Sequence, residues 1–195
     1  YSIAAEHGDI ESQYILGCIY YEGKYTDRDV QKAINYFKMA SNQNHLESQF
    51  YLGQIYSEGE YIKKELDKSI DYFSLAANQN HSKSQYKLGM IFQNEETERN
   101  IDKSIVYLKL AAMQNNDIAQ FELGKIYLKN KEKRNIKEAI HYFELASSNN
   151  CIDAQFQLGM IYYTNEYIKR NINKAIHYFK LAANQKYVEA QYKLG

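Results

Sequence analysis

Proline and tryptophan are both absent from this chain, and only two of its 195 residues are cysteine. Set beside an abundance of asparagine, lysine, isoleucine and tyrosine, the first two absences resemble the bias of an AT-rich genome. Cys18 and Cys151 lie more than a hundred residues apart, in a chain whose contacts are expected to be local, which argues against a disulfide between them. Unpaired thiols suit a reducing compartment, so the cytosol is the expected location and the endoplasmic reticulum the alternative. An excess of either charge is missing too, since Lys plus Arg and Asp plus Glu each number 24. That balance argues against a strongly basic nucleic-acid binder and against an acidic tail. No run of about 18 apolar residues occurs, so no membrane span is expected. A charged leader followed by an apolar core is also missing, although a chain that starts at tyrosine is expected to begin inside its parent protein.

What is present is a repeat. Leu-Gly recurs at Leu16-Gly17, Leu52-Gly53, Leu88-Gly89, Leu123-Gly124, Leu158-Gly159 and Leu194-Gly195, at spacings of 36, 36, 35, 35 and 36 residues. Aligned on that pair, the units run 9–44, 45–80, 81–115, 116–150 and 151–186, with partial units at 1–8 and 187–195. Length then measures repeat number, and one continuous solenoid domain over 1–195 is expected. Both ends cut through a unit, so the chain reads as an excerpt of a longer array whose bare ends allow end-to-end self-association.

Each unit holds two segments of helical period. In the second, Val30, Ala33, Ile34, Phe37, Ala40 and Ser41 share one face, and Gln31, Lys32, Asn35, Lys38 and Asn42 share the other. Asp29, Asn100, Asn135 and Asn171 mark its start as N-caps, with Glu65 a poorer cap in the second unit. The first helix differs in having two apolar arcs. On a wheel of about 100° per residue, Ser48, Ile55 and Tyr56 flank Leu52, while Leu46, Phe50 and Gly53 lie across from it. A helix buried on two sides is sandwiched between its own partner and neighbouring units. Glycine inside a helix costs about 0.5–1 kcal/mol against alanine, so its return in every unit implies a close approach on that face. Gly8, Gly23 and Gly59 follow helices, where a left-handed residue commonly ends them. Asn44, Asn80, Asn115 and Asn150 stand in place of Gly8, and Asn130 and Asn165 in place of Gly23; Lys186 breaks the first series.

The run Ala154-Gln155-Phe156-Gln157-Leu158-Gly159-Met160-Ile161-Tyr162, followed by Lys174 to Ala183, resembles the Sel1-like repeats, relatives of the tetratricopeptide repeat. Five consecutive copies carry the resemblance over essentially the whole chain. It implies an all-α right-handed superhelix of helix-turn-helix units that serves as an adaptor in multiprotein complexes, including signalling and endoplasmic-reticulum degradation assemblies. The cysteine pair that staples each unit in some secreted bacterial members is missing, which weighs against that branch and its β-lactam-related activity.

Chemistry is not expected within the chain. His141 and His177 recur on the solvated face of second helices, and His45 and His81 in turns, each pair a whole unit apart, so no metal site and no cofactor are expected. No serine has a histidine and an orienting third group in a local signature. The 20 tyrosines recur mostly at core positions such as Tyr36, Tyr72, Tyr107, Tyr142 and Tyr178, which favours packing over base stacking and a chain without nucleic acid. Lys129-Asn130-Lys131-Glu132-Lys133-Arg134, with Lys63-Lys64 and Lys169-Arg170 in matching loops, reads as solvated turns, with contact to an acidic partner the alternative.

Function is expected where the two buried arcs leave the first helix uncovered. That stripe runs Glu11, Ile15, Cys18, Glu22; Glu47, Tyr51, Gln54, Glu58; Lys83, Lys87, Met90, Asn94; Ile118, Glu122, Lys125, Lys129; and Asp153, Gln157, Met160, Thr164. It is acidic in two units and mostly basic in the next two, and it varies while its neighbours barely change. Ile15, Tyr51, Gln54, Lys87, Met90, Glu122, Lys125, Gln157 and Met160 are the expected contacts for a protein or peptide segment held along a concave surface. The alternative is a regulatory or targeting module of a larger signalling, ubiquitin-ligase or degradation protein whose catalytic part lies outside this chain.

Overall fold

A computed structural model describes residues 1–60, 62–94, 98–130, 133–164, 166 and 168–195. Among them are twelve helices: α1 (Ser2–Glu6), α2 (Ile10–Glu22), α3 (Val30–Ser41), α4 (Leu46–Glu58), α5 (Leu66–Asn78), α6 (Ser82–Asn94), α7 (Glu98–Ala112), α8 (Asp117–Lys129), α9 (Ile136–Ser148), α10 (Ile152–Tyr163), α11 (Ile172–Asn184) and α12 (Val188–Leu194). They fall into two compact units, Tyr1–Glu95 and Glu96–Gly195. In the first, α2 pairs with α3 and α4 with α5, and each second helix also packs on the first helix that follows it. The second unit repeats the scheme with α8 on α9 and α10 on α11.

The apolar periodicity of the second helices becomes burial. Ala33, Ile34, Phe37, Ala40 and Ser41 of α3 are buried, and Gln31, Lys32, Asn35 and Asn42 behind them are exposed. Both arcs of the first helix are covered as well. Leu52, Ile55 and Tyr56 of α4 share a cluster with Ala33, Ile34 and Phe37 of the preceding repeat. On the other arc, Phe50 and the glycine face their own partner helix. A Cβ on Gly53 would lie 2.5 Å from Phe73 Cδ1, and those on Gly17, Gly124 and Gly159 would meet Phe37, Phe143 and Phe179 equally closely. The recurrent glycine is therefore a seat for an aromatic ring.

Helix ends follow the polar signals with three departures. Asp29, Asn135 and Asn171 accept from the backbone amides of Lys32, Glu138 and Lys174, whereas Glu65 makes no such bond and ion-pairs with Lys68 at 2.7 Å. Helix α7 begins at Glu98, so Asn100 sits inside its first turn and not before it. After the second helices, Asn44, Asn80, Asn115 and Asn150 take φ of 59–63°, and Lys186 adopts the same left-handed state at 66°. Local backbone hydrogen bonds hold that lysine where the sequence pattern broke, its amide and that of Tyr187 closing the end of α11 on Ala183 and Ala182. Asn130 departs the other way: it ends α8 in extended conformation at φ −70°, unlike left-handed Gly23 and Gly59, and Asn165 lies outside the described residues.

Candidate partner-binding face

The repeated glutamine of the first helix turns out to position the whole face. Gln13, Gln85, Gln120 and Gln155 are buried and donate to the carbonyls of Ala5, Ala77, Ala112 and Ser147, each at the end of the preceding second helix. The amide oxygens of Gln13, Gln49, Gln120 and Gln155 accept in turn from the end of the following second helix. Gln43 reaches Gln13 at 3.0 Å, Gln79 reaches Gln49 at 2.7 Å, Asn149 reaches Gln120 at 3.1 Å and Gln185 reaches Gln155 at 3.0 Å. One buried side chain thus ties three helices and fixes the rotation of the first. Its return in every repeat was visible in the sequence, but a polar residue between two apolar arcs carries no sign of which carbonyls it meets.

Two turns further along the same first helices, seven residues after each glutamine, aromatic pairs join the two helices of a repeat. Tyr20 stacks on Tyr36, Tyr56 on Tyr72, Tyr127 on Tyr142 and Tyr162 on Tyr178, at 5.8–5.9 Å and within 8° of parallel. Lysines lie over several of these rings, Lys174 4.7 Å from the centre of Tyr162. Burial, with the Glu144 carboxylate beside it, pushes the Tyr178 phenol up to about 12. These rings are occupied by the fold, in agreement with the packing reading of the tyrosines.

In the first unit the uncovered stripe has exposed ends and a half-buried middle. Glu11 and Glu22 on α2, Glu58 on α4 and Lys83 and Asn94 on α6 are exposed, while Ile15, Cys18, Gln54, Lys87 and Met90 between them are partly buried. Gln54 donates to Glu58 at 2.7 Å. Tyr51 does not stand free as the stripe required: its ring stacks on Phe37 at 5.0 Å and contacts Tyr14 and Tyr21. The neighbouring repeat extends under that position, so Tyr51 is a joint between repeats before it is a contact. His45 and His81 form a second joint. Each imidazole Nδ1 pairs with a hydroxyl, Ser48 at 2.9 Å or Ser84 at 2.8 Å, and each Nε2 lies 3.7 Å from Glu11 or Glu47 on the preceding first helix. Burial lowers the pKa of His81, and the nearby Glu47 carboxylate offsets only part of that shift.

In the second unit Ile118, Lys129 and Asp153 are exposed, and Lys125, Gln157, Met160 and Thr164 are half-buried. Glu122 is the second departure. It is buried at 7% exposure and paired with Lys125 at 2.8 and 2.9 Å, so both charges are satisfied within α8. A cavity of about 240 Å³ opens between the end of α8 and α10, with Leu128, Phe156, Met160 and Ile161 as apolar walls and Lys129, Gln157, Thr164 and Glu166 around them.

Neither thiol is set up as a nucleophile. Cys18 and Cys151 are free and half-buried, and burial raises the pKa of both. Among the described residues, no three His, Cys, Asp or Glu side chains converge as a metal site, and no helix is long and apolar enough to cross a membrane. The basic loops partly serve the fold, with Lys133 paired to Asp102 at 2.7 Å and Arg170 lying 5.0 Å from the Tyr163 ring; Lys131 and Glu132 lie outside the described residues.

Paired helices, a glycine seat for each aromatic and a glutamine clamp per repeat define a helical-repeat protein. The Sel1 repeat pattern matches residues 10–45, 46–81, 82–116, 117–151 and 152–187, each one residue later than the Leu-Gly register, and the chain belongs to the Sel1 repeat family. Its fold is similar to that of a protective antigen present in uropathogenic Escherichia coli strains, with 28% identity and a TM-score of 0.80 over 97% of this chain; the chain spans 41% of that protein. It is also similar to a Sel1 repeat protein from Oxalobacter formigenes, with 26% identity, a TM-score of 0.77 and coverage of 95% of this chain and 76% of that one. An immunity protein from Pseudomonas aeruginosa shares the fold at 18% identity and a TM-score of 0.55, over 94% of this chain and 71% of that protein. No curated protein matches the chain.

Proposed function

We propose that this chain is a non-catalytic protein-binding module whose first-helix face holds a segment of a partner protein. The observation that carries this reading is a division of labour within each repeat. Positions of the glutamine clamp, the leucine and the glycine keep their identity from repeat to repeat and are buried; the uncovered positions change from Ile15 to Lys87 to Gln157 and remain reachable by solvent. A solenoid presents such a row as an extended surface without a pocket for chemistry. The contacts proposed are Ile15, Gln54, Lys87, Met90, Lys125, Gln157 and Met160, with Tyr51 and Glu122 acting through the shape and charge they give their neighbours. Two unpaired thiols favour a reducing compartment, the cytosol, for this role.

Affinity capture with the intact chain tests it. Replacing Lys87, Met90, Gln157 and Met160 by alanine is expected to remove the captured partner, while replacing Asn35 and Lys137 on the solvated backs of α3 and α9 leaves it bound. Equal loss from both sets, or from neither, overturns the assignment to the first-helix face. A second reading, that the repeats target or regulate a catalytic part elsewhere in a longer protein, shares the same face and is separated from the first by reading the flanking sequence.

A further inference from the structure

The first unit says more about what the partner carries, on the condition that the first-helix face is the binding face. Glu22 is the last residue of α2 and Glu58 the last of α4, each followed by a glycine at φ 67° or 68°. A carboxylate there faces the unpaired carbonyls and the negative end of the helix dipole, where a cation is favoured. The repeat accepts a cation at that position, since α8 ends at Lys129. Among the described residues the acids are not neutralised: Glu22 has no ion-pair partner there, and Glu58 accepts there only from the neutral Tyr21 hydroxyl and Gln54 amide. Two carboxylates thus stand where helix stability disfavours them.

Between them the floor is aromatic. The Tyr51 ring lies 6.1 Å from Tyr14 and 5.9 Å from Tyr21, and ring faces and carboxylates attract the same kind of ligand, a cation. The chain already offers one example, with the Arg28 guanidinium 5.9 Å from the Tyr21 ring. On α6 the sign changes to Lys83 and Lys87, which limits the attraction to the α2 and α4 part of the face.

We propose that this acidic, tyrosine-floored part of the face takes a stretch of a partner protein bearing lysine or arginine. Packed helices lie about 10 Å apart and an extended chain advances about 3.4 Å per residue, so basic residues about three apart match the two carboxylates.

Fluorescence anisotropy with the full chain tests this, using a labelled synthetic peptide with lysine at every third position among alanine and leucine, and the same peptide with glutamate for lysine. The unaltered protein is expected to bind the basic probe about tenfold more tightly than the acidic one, an advantage that shrinks as salt rises. The double variant Glu22→Lys, Glu58→Lys is expected to reverse the preference with its urea midpoint unchanged or raised. Glu22→Gln with Glu58→Gln, which keeps hydrogen bonding, should weaken the basic probe without admitting the acidic one. Binding of neither probe, a preference for the acidic one, or a basic preference that survives charge reversal overturns the proposal. A captured natural partner that is lost on the Lys87, Met90, Gln157 and Met160 substitutions but holds the Glu→Lys protein undiminished overturns it too, while leaving the binding face in place.

Discussion

Gly53 and His81 show how much single residues decide in this repeat. Helix propensity alone makes Gly53→Ala stabilising by about 0.5–1 kcal/mol. The added methyl, however, would meet three ring carbons of Phe73 at 2.5–2.8 Å, and Phe73 is fully buried and unable to retreat. Overpacking of that kind costs about 1–3 kcal/mol, so the urea midpoint is expected to fall with the slope of the transition unchanged. His81 works through its neutral form. Because burial depresses its folded pKa, its contribution to stability is complete above the unfolded value of about 6.5 and is lost as pH falls below that value through the folded one. Urea midpoints measured between about pH 7.5 and about pH 5 are expected to drop more steeply in Glu47→Gln, which removes the one opposing carboxylate, and less steeply in His81→Asn. Asparagine is already the cap of α8 through Asn116, so the latter substitution keeps an acceptor and removes the proton.

Helices here are bounded by chemistry that one position can improve. Three second helices start with an Asp or Asn that accepts from the first turn, and α5 starts with Glu65, whose side chain makes no capping bond. Glu65→Asn is expected to raise stability by about 1 kcal/mol, since the exposed Lys68 pair it removes is worth about 0–1 kcal/mol and a missing cap about 0.5–2. Thermal or urea midpoints check this, and an unchanged midpoint would mean the α5 amides already have equivalent partners. The C-terminal side was less legible from pattern. Asparagine after a second helix correctly marked a left-handed end, because there the same six-residue turn recurs, but Asn130 after a first helix did not: it stays extended, and its side chain accepts from the Lys133 amide.

For the molecule as a whole, stability is local to neighbouring repeats, because contacts run between sequential helices. Gly53→Ala is therefore expected to lower amide-exchange protection in α3, α4 and α5 more than in α9, α10 and α11, as read by native-state hydrogen exchange. Uniform loss along the chain would show that the repeats open together. The proposed binding face belongs to this scale too, since no single repeat contains it. Its positions were read as the residues left over from two buried arcs, and eight of the nine are partly exposed, Tyr51 among them, while Glu122 is buried. What the wheel of one helix cannot show is that Phe37 of the preceding repeat stacks under Tyr51, whereas the pairing of Glu122 with Lys125, three residues on along α8, was open to it.

Sequence by itself determined the repeat, the helix pairing and the two-sided burial of the first helix, because these depend on periodicity and on the size of side chains close in the chain. It also marked the glycine and the changing stripe as separate classes. Tertiary structure alone decided what each class meets: which ring fills the glycine's place, which carbonyls the glutamine ties together, and which stripe residue the preceding repeat underlies. Those partners sit up to about 30 residues away, and their distances are set by how neighbouring helices pack, which no spacing within a helix encodes.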